Sequence, residues 1–222
     1  MKHSRHLNPH TDSPTERGAT EQAGGLGCTH GTARSRTGQV FPGCRAVQTY
    51  DDVVPAYRGT PIEELLAYHN LGAPFQQHPT ARLLVGMCMD YRMWLRIPPD
   101  FAYVLRVGGA NLRGLDFHIS SAVARGVTAV CLIGHDQCAM DGVVERGPAF
   151  VRGLMEHGGW SNRDARNHFK THAPHSEIGD VIGFVLSETQ RLSHRYPRIV
   201  VAPLFYSVVE RALDQIEVTE LK

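Results

Sequence analysis

The sequence predicts an α/β fold with a mostly parallel central sheet flanked by helices, and three observations lead to that prediction. Residues 83–87 and 127–134 are short apolar runs bounded by polar residues, as is typical of buried strands. Residues 111–126 lie between them and repeat apolar residues at helical spacing, with Asn111 as a candidate N-cap and Gly126 just past the end. Strand, helix and strand in this order predict two parallel strands joined by a right-handed crossover.

Composition limits the classes of function. The chain has 222 residues, 23 Lys and Arg against 22 Asp and Glu, and a formal net charge of +1. No basic stripe indicates nucleic acid and no apolar run is long enough to cross a membrane, so we expect neither partner. Five cysteines are an odd number and do not form a disulfide-dense framework, which favours a reducing, cytoplasmic compartment.

Residues 1–58 differ in composition from the rest of the chain. His, Arg, Thr, Ser, Gly and Pro crowd residues 1–43, which show neither the helical nor the strand period. This stretch lacks the apolar region of a signal peptide, and its acidic residues argue against an organelle transit peptide. We therefore predict a disordered or low-complexity tail over residues 1–58 and a single α/β domain over residues 59–222.

The first predicted element of the domain is a helix that begins near Thr60. Thr60 suits the N-cap and Pro61 the first helical position, and Glu63 is placed to close a capping box. Gly72 marks the end of this helix. Because the helix is apolar on one side, it must pack either on its own sheet or on a partner subunit. Farther along, residues 102–106 are predicted to form another strand.

The C-terminal part of the chain is predicted to be mainly helical. Apolar spacing predicts two short helices at residues 150–155 and 165–169 and a longer helix at residues 178–194. It also predicts a strand at residues 199–206 and a short edge strand at residues 213–218. His168, His172 and His175 suggest a second metal site. However, Pro174 would break the helix that aligns them, so we interpret them as surface or loop histidines.

Candidate metal ligands follow the two central strands. Cys88 comes directly after the first strand, and His135 and Cys138 come directly after the second. Because the carboxyl ends of parallel strands meet at one edge of a sheet, we expect these side chains to converge. Two thiolates and an imidazole suit Zn²⁺, and three protein ligands leave a fourth position open, as in catalytic zinc sites. The alternative is a buried thiol beside an unrelated surface His-Cys pair. Cys131, within the second strand, is interpreted as a small buried hydrophobe.

The pattern Cys-x-Asp-x-Arg at residues 88–92, combined with His-x-x-Cys at residues 135–138, resembles the β-class carbonic anhydrases, including the related carbonyl sulfide and carbon disulfide hydrolases. The resemblance covers about residues 80–140. It implies a carbonate dehydratase-type zinc lyase that hydrates carbon dioxide to bicarbonate by a zinc-bound hydroxide. It also implies that Asp90, held by Arg92, accepts a hydrogen bond from that hydroxide. Finally, it implies a homodimer or higher homo-oligomer in which an N-terminal helix reaches a second protomer.

The residues around the ligands leave other interpretations open. Asp90 can instead coordinate the metal and close the site, or it can form an ordinary surface ion pair with Arg92. The chain departs from the family pattern at Val107, where an asparagine is usual, and at Ala139, where a glycine usually follows the last cysteine. His118 is a candidate proton shuttle, although a satisfied, partly buried imidazole is the preferred interpretation.

Two alternative functions follow from the same site. One is hydrolysis of carbonyl sulfide or carbon disulfide at the zinc, and the other is a non-catalytic zinc protein of this fold. For either hydration or hydrolysis, two thiolate ligands make the bound water less acidic than three imidazoles would. Activity is therefore expected to rise toward alkaline pH.

Overall fold

The computed structural model describes residues 41–74 and 76–218, and within these ranges six strands form one sheet. The strands are β1 (Cys44–Ala46), β2 (Leu83–Met87), β3 (Ala102–Arg106), β4 (Ala129–His135), β5 (Val200–Ser207) and β6 (Ala212–Ile216). The helices are α1 (Pro61–Leu66), α2 (Asp116–Ala124), α3 (Gly147–Gly158), α4 (Asn162–Ser176) and α5 (Val181–Arg195). The strand order is β1-β6-β5-β4-β2-β3; β5, β4, β2 and β3 run parallel, and β6 is antiparallel to β5 and β1. This architecture confirms the predicted fold class.

The two strands predicted from apolar runs, β2 and β4, are adjacent and parallel. Leu83 pairs with Ala129 and Met87 pairs with Ile133, so β4 extends two residues beyond the end of β2. Every residue of both strands is buried, as expected for parallel strands with both faces covered. β3 lies on the other side of β2, and α2 connects β3 to β4. The predicted parallel pair is thus confirmed.

Two apolar clusters pack on opposite faces of the sheet. Successive strand residues alternate between the faces, and in β2 Val85 belongs to one cluster whereas Leu84 belongs to the other. The first cluster contains Leu65 of α1 and also Cys88 and Cys138. The second contains residues of α2 and α5. The candidate metal ligands therefore lie on the face of the sheet that α1 covers.

Helix α1 begins and ends as predicted, with one difference at its cap. The Thr60 hydroxyl accepts from the N–H of Ile62 at 3.2 Å, whereas Glu63 accepts from the N–H of Gly59 at 2.7 Å rather than from that of Thr60. The helix continues as a π-helical turn and ends at Gly72, whose φ of 69° is left-handed. The apolar residues Ile62, Leu65 and Leu66 are fully buried in this chain's own core. Of the two partners that the sequence allowed, α1 therefore packs on its own sheet.

The ordered domain begins before residue 59, where the sequence placed its start. β1 pairs with β6, and Val47 and Val53 are each 1% exposed in the core below α1. Short 3₁₀ turns at Tyr50–Asp52 and Pro55–Tyr57 connect β1 to α1. A three-residue strand and single turns are too short to show a hydrophobic period, so the sequence did not reveal them. Residues 1–40 lie outside the described residues, and the prediction of disorder there stays a prediction.

Two predicted boundaries and one predicted position are corrected. α2 begins at Asp116 rather than at Asn111, because the Asn111 side chain accepts from the N–H of Arg113 at 3.2 Å in a separate turn. α5 begins after Asp180, whose carboxylate caps the N–H of Gly183 at 2.5 Å. β6 does pair back on β5 as predicted, but β1 covers its other side, so β6 is an inner strand.

The two helices predicted around residues 150–169 are longer than expected and form a helical hairpin, α3 and α4. Pro174 lies in the last turn of α4, where it removes one main-chain N–H donor, but α4 continues past it to Ser176, so the predicted break is wrong. The rings of His168 and His172 are consequently aligned, with centroids 4.5 Å apart. No helix in the described ranges combines the length and apolar character needed to span a bilayer.

Candidate metal centre

The strand register brings the three predicted ligands together. Because Met87 pairs with Ile133, Cys88 leaves β2 next to the last residues of β4, where His135 lies. The loop after β4 then brings Cys138, three residues after His135, back to the same place. The candidate ligand atoms of Cys88, His135 and Cys138 all lie within 4.8 Å of one another, and all three residues are buried. Among the described residues this is the group of His, Cys, Asp and Glu side chains whose geometry suits a metal ion.

The donor set fits a tetrahedral zinc ion. The two Sγ atoms are 4.0 Å apart, close to the separation of about 3.8 Å that Zn–S bonds of about 2.3 Å give at a tetrahedral angle. His135 Nδ1 donates to the carbonyl of Asp136 at 2.8 Å, which leaves Nε2 with its lone pair. Nε2 is buried without a hydrogen-bond partner among the described residues. A buried, unpartnered ring nitrogen beside two thiols is accounted for by a cation at this position.

The electrostatics of the cluster also favour a cation. The pKa of Cys88 is lowered to about 4, mainly by a hydrogen bond from Cys138 and despite burial; His135 and the N–H groups of Asp90 and Gly109 add to the effect. The resulting thiolate and burial together raise the pKa of Cys138. Burial lowers the pKa of His135, but the Cys88 thiolate outweighs burial and the net shift is upward. A divalent cation would stabilise the second thiolate that the first one otherwise disfavours.

Gly109 supports Cys88 from the end of β3. Its N–H donates to Cys88 Sγ at 3.3 Å. A left-handed φ of 64° permits this approach, and a Cβ here would lie 2.7 Å from Ile178 and 3.1 Å from Met140. Glycine is therefore required at this position both by its backbone conformation and by its neighbours.

The predicted pair of Asp90 and Arg92 forms beside the cluster. Arg92 donates from Nε to Oδ1 at 3.0 Å and from Nη2 to Oδ2 at 2.8 Å, and its main-chain N–H donates to Oδ1 at 2.9 Å. These contacts hold the pKa of Asp90 down at about 2, so the carboxyl group is ionised. Asp90 is not a member of the three-residue cluster. In this arrangement the Arg92 guanidinium holds the Asp90 carboxylate.

Three further residues position the ligand loops, and the sequence did not single them out. Arg106 donates to the carbonyls of Cys88 at 3.2 Å and Asp90 at 2.7 Å, which fixes the loop after β2. The Asp136 carboxylate accepts from the N–H of Val208 at 2.7 Å, which ties the loop after β4 to the turn after β5. Gln137 accepts two hydrogen bonds from Arg92. The only sequence signal was position, since all three lie at the carboxyl ends of predicted strands.

Comparisons with known proteins address the fold. A scan against protein-family models finds no match, and a search of curated proteins finds none. Among solved structures, the β-carbonic anhydrase isoform I of Trichomonas vaginalis matches with a TM-score of 0.51 and 14% identity, over 66% of this chain and 88% of that chain. The fold is that of the β-carbonic anhydrases.

Two other structures match this β-carbonic anhydrase fold at lower TM-scores. The carbonic anhydrase of Streptococcus mutans matches at 0.48 and 16% identity, over 74% of this chain and 100% of that chain. A carbon disulfide hydrolase matches at 0.44 and 19% identity, over 72% of this chain and 88% of that chain. The fold assignment rests on the Trichomonas structure.

Neither departure from the β-carbonic anhydrase pattern opens the cluster. The Val107 side chain packs on the apolar cluster of α2 and α5, while its N–H and C=O bond to Met87 and Met89 at 3.0 and 3.2 Å. Ala139 is exposed and does not adopt a left-handed φ, so no glycine is needed there. Its carbonyl accepts from Arg146 at 2.6 Å.

The other histidines singled out in the sequence lie outside the cluster. His118 is exposed on α2, not partly buried as predicted. The next residue, Ile119, is the one that is fully buried in the core, and helical residues one position apart point in different directions.

His172 and His175 are exposed on α4, as predicted for surface histidines. His168 is partly buried instead, because its ring packs beside the rings of Phe150 and Trp160.

Proposed function

We propose that this protein hydrates carbon dioxide to bicarbonate at a zinc ion held by Cys88, His135 and Cys138. The observation that carries the proposal is the convergence of these three buried side chains, with the Asp90 carboxylate held by Arg92 nearby. The β-carbonic anhydrase fold supports the same reaction. When bound, zinc would supply a water of lowered pKa as the nucleophile.

The chain's own residues would prepare the site for that chemistry. The Nδ1–H group of His135 donates to the Asp136 carbonyl, so the lone pair of Nε2 is available to the ion. The N–H of Gly109 stabilises the Cys88 thiolate. Asp90, ionised by its contacts with Arg92, is an acceptor that would orient the attacking water by taking a hydrogen bond from it.

Stopped-flow carbon dioxide hydration, with zinc measured on the same sample, tests the proposal. We expect one zinc per chain and a rate that rises from pH 7 to pH 9, because two thiolates neutralise the ion and leave its water less acidic. Cys88→Ser should lose both zinc and activity, whereas Cys131→Ala, a fully buried cysteine outside the cluster, should keep both.

One zinc per chain without carbon dioxide hydration would contradict the proposed reaction and leave two alternatives, a non-catalytic zinc protein or an enzyme that acts on another gas. Hydrogen sulfide release from carbonyl sulfide or carbon disulfide separates these two.

We also propose a homo-oligomer. The loop after β2 exposes apolar side chains beside the cluster: Met89 is 67% exposed, Tyr91 92% and Trp94 63%. An exposed apolar patch of this kind is typical of an interaction surface. Light scattering coupled to gel filtration should give a multiple of the 24.6 kDa chain mass, and a monomer mass at micromolar concentration would contradict the proposal.

A further inference from the structure

We propose that Gln137 is a positioning residue. It holds Arg92 in place, and Arg92 in turn keeps the Asp90 carboxylate out of the open position of the metal centre. This inference rests on the function proposed above. Gln137 lies between the two ligands of the His-x-x-Cys loop. Its side-chain Oε1 accepts from Arg92 Nη1 at 3.0 Å, and its main-chain carbonyl accepts from Arg92 Nη2 at 3.0 Å.

These two contacts complete the surroundings of the guanidinium. Arg92 uses Nε and Nη2 for the Asp90 carboxylate and Nη1 and Nη2 for Gln137. A guanidinium is a planar, rigid fork, so contacts on two of its edges fix its orientation. Arg92 therefore joins the loop that follows β2 to the loop that follows β4. With the Asp90 contacts alone, the guanidinium would be attached only to its own loop.

The backbone of Gln137 is unusual in a way that agrees with this role. Its φ of 55° is left-handed, a conformation that costs energy for residues other than glycine. Glycine or asparagine would adopt it more readily. In this conformation both carbonyl groups of Gln137, that of the side chain and that of the main chain, bond to the same guanidinium.

The consequence concerns a competition for one position on the metal. If Asp90 spends part of its time on the ion, the affinity for an external ligand falls in proportion to the fraction of time that the position is free. Loss of the Gln137 side chain should lower that fraction. Because the contact is solvent-exposed, we expect a modest effect, a three- to tenfold loss of external ligand affinity, which is the range that one ordinary hydrogen bond gives.

Azide binding to the cobalt-substituted full-length protein, followed by visible absorption at fixed pH, tests this inference. Gln137→Ala and Gln137→Gly should both bind azide about three- to tenfold more weakly, and Gln48→Ala, an exposed glutamine before the first 3₁₀ turn, should bind it as the wild type does. In an Asp90→Asn background, Gln137→Ala should have no effect, since no carboxylate competes.

Each other outcome overturns the inference in a distinguishable way. Unchanged azide affinity in both Gln137 variants overturns the inference and leaves the proposed metal centre intact. An equal loss with and without Asp90 means that Gln137 acts on the loop structure rather than through the carboxylate. Wild-type protein that takes up no cobalt overturns the proposed function together with this inference, before any azide is added.

Discussion

Asp90 follows a candidate zinc ligand by two residues, yet both of its oxygens bond to Arg92. Replacing Arg92 with Ala removes charge-assisted hydrogen bonds that are worth about 1.5–3 kcal/mol. The freed carboxylate would then compete for the open side of the ion, so carbon dioxide hydration should fall at least about tenfold, the factor that about 1.4 kcal/mol gives. Zinc content should stay at one per chain.

Arg125→Ala serves as the control. Arg125 is an exposed arginine that bonds to Ser121 on α2, so its loss should change neither the hydration rate nor the zinc content. Full activity in Arg92→Ala would refute the role of the pair.

The candidate ligands were predictable at this scale, and the residues that position them were not. Cys88, His135 and Cys138 stand where apolar runs end, and the ends of parallel strands converge for geometric reasons. The contacts of Arg106 and Gln137 join loops that are separated by 16 and 45 residues in the sequence. Such contacts depend on the local shape of each loop, which a hydrophobic pattern does not specify.

At the scale of elements, a glycine in β4 lets α5 pack closely on the sheet. A Cβ on Gly134 would lie 2.7 Å from Val181 and 3.0 Å from Val185, two stiff β-branched side chains of α5. Gly134→Ala should therefore lower the free energy of unfolding by about 1–3 kcal/mol, as overpacking does. Gly153→Ala on α3, where nothing lies within 4 Å, should be neutral or stabilising by up to about 1 kcal/mol. Urea unfolding measures both, and equal midpoints for the two variants would contradict this account.

The base of the α3–α4 hairpin is held by one carboxylate. Glu177 accepts from the N–H groups of Gly142 at 2.8 Å, Val144 at 3.0 Å and Gly179 at 2.9 Å. Burial raises the pKa of Glu177, but these N–H groups outweigh burial and the net shift is downward. A lowered folded-state pKa contributes stability that is complete above the ordinary value of about 4.3 and is lost as the pH falls through the lowered value.

Glu177→Gln should therefore loosen the hairpin base at neutral pH and have little effect in acid. At pH 6, the amides of Gly142 and Val144 should exchange faster in the variant than in the wild type, because the new amide group offers Val144 a donor or a weaker acceptor. When the pH falls below the lowered pKa of Glu177, the exchange rates of the two proteins, corrected for intrinsic rates, should converge. Glu156→Gln, an exposed position on α3, serves as the control. A difference that persists unchanged in acid would show that the carboxylate charge is not responsible.

For the whole molecule, the sequence located the central strands but placed the start of the domain too late. The uninterrupted apolar runs of β2 and β4 and the helical spacing of α5 are strong signals because each covers several strand pairs or helical turns. β1 has three residues, and it is defined by its pairing with β6 about 170 residues later in the chain. Pairing across that distance leaves no local pattern in the sequence.

Truncation tests where the domain begins. A chain that starts at residue 59 lacks β1 and the core side chains Val47 and Val53, which are each 1% exposed. Burial of one such side chain contributes about 1.5–3 kcal/mol, so this chain should be less stable by at least about 3 kcal/mol. A chain that starts at residue 41 should unfold at the same urea concentration as the full chain. Equal stability of all three would mean that β1 contributes nothing to the fold.

Cys88 and Cys138 are 50 residues apart in the sequence, and β3 and α2 lie between them. An ion shared by both thiolates would cross-link this stretch and restrict the unfolded chain, by an amount comparable to the roughly 4 kcal/mol that a covalent bridge closing such a loop provides. The zinc ion proposed for the reaction would therefore also stabilise the fold. Chelation would then weaken the parallel half of the sheet as well as stop the chemistry, and protein made without zinc would be the form most exposed to proteolysis.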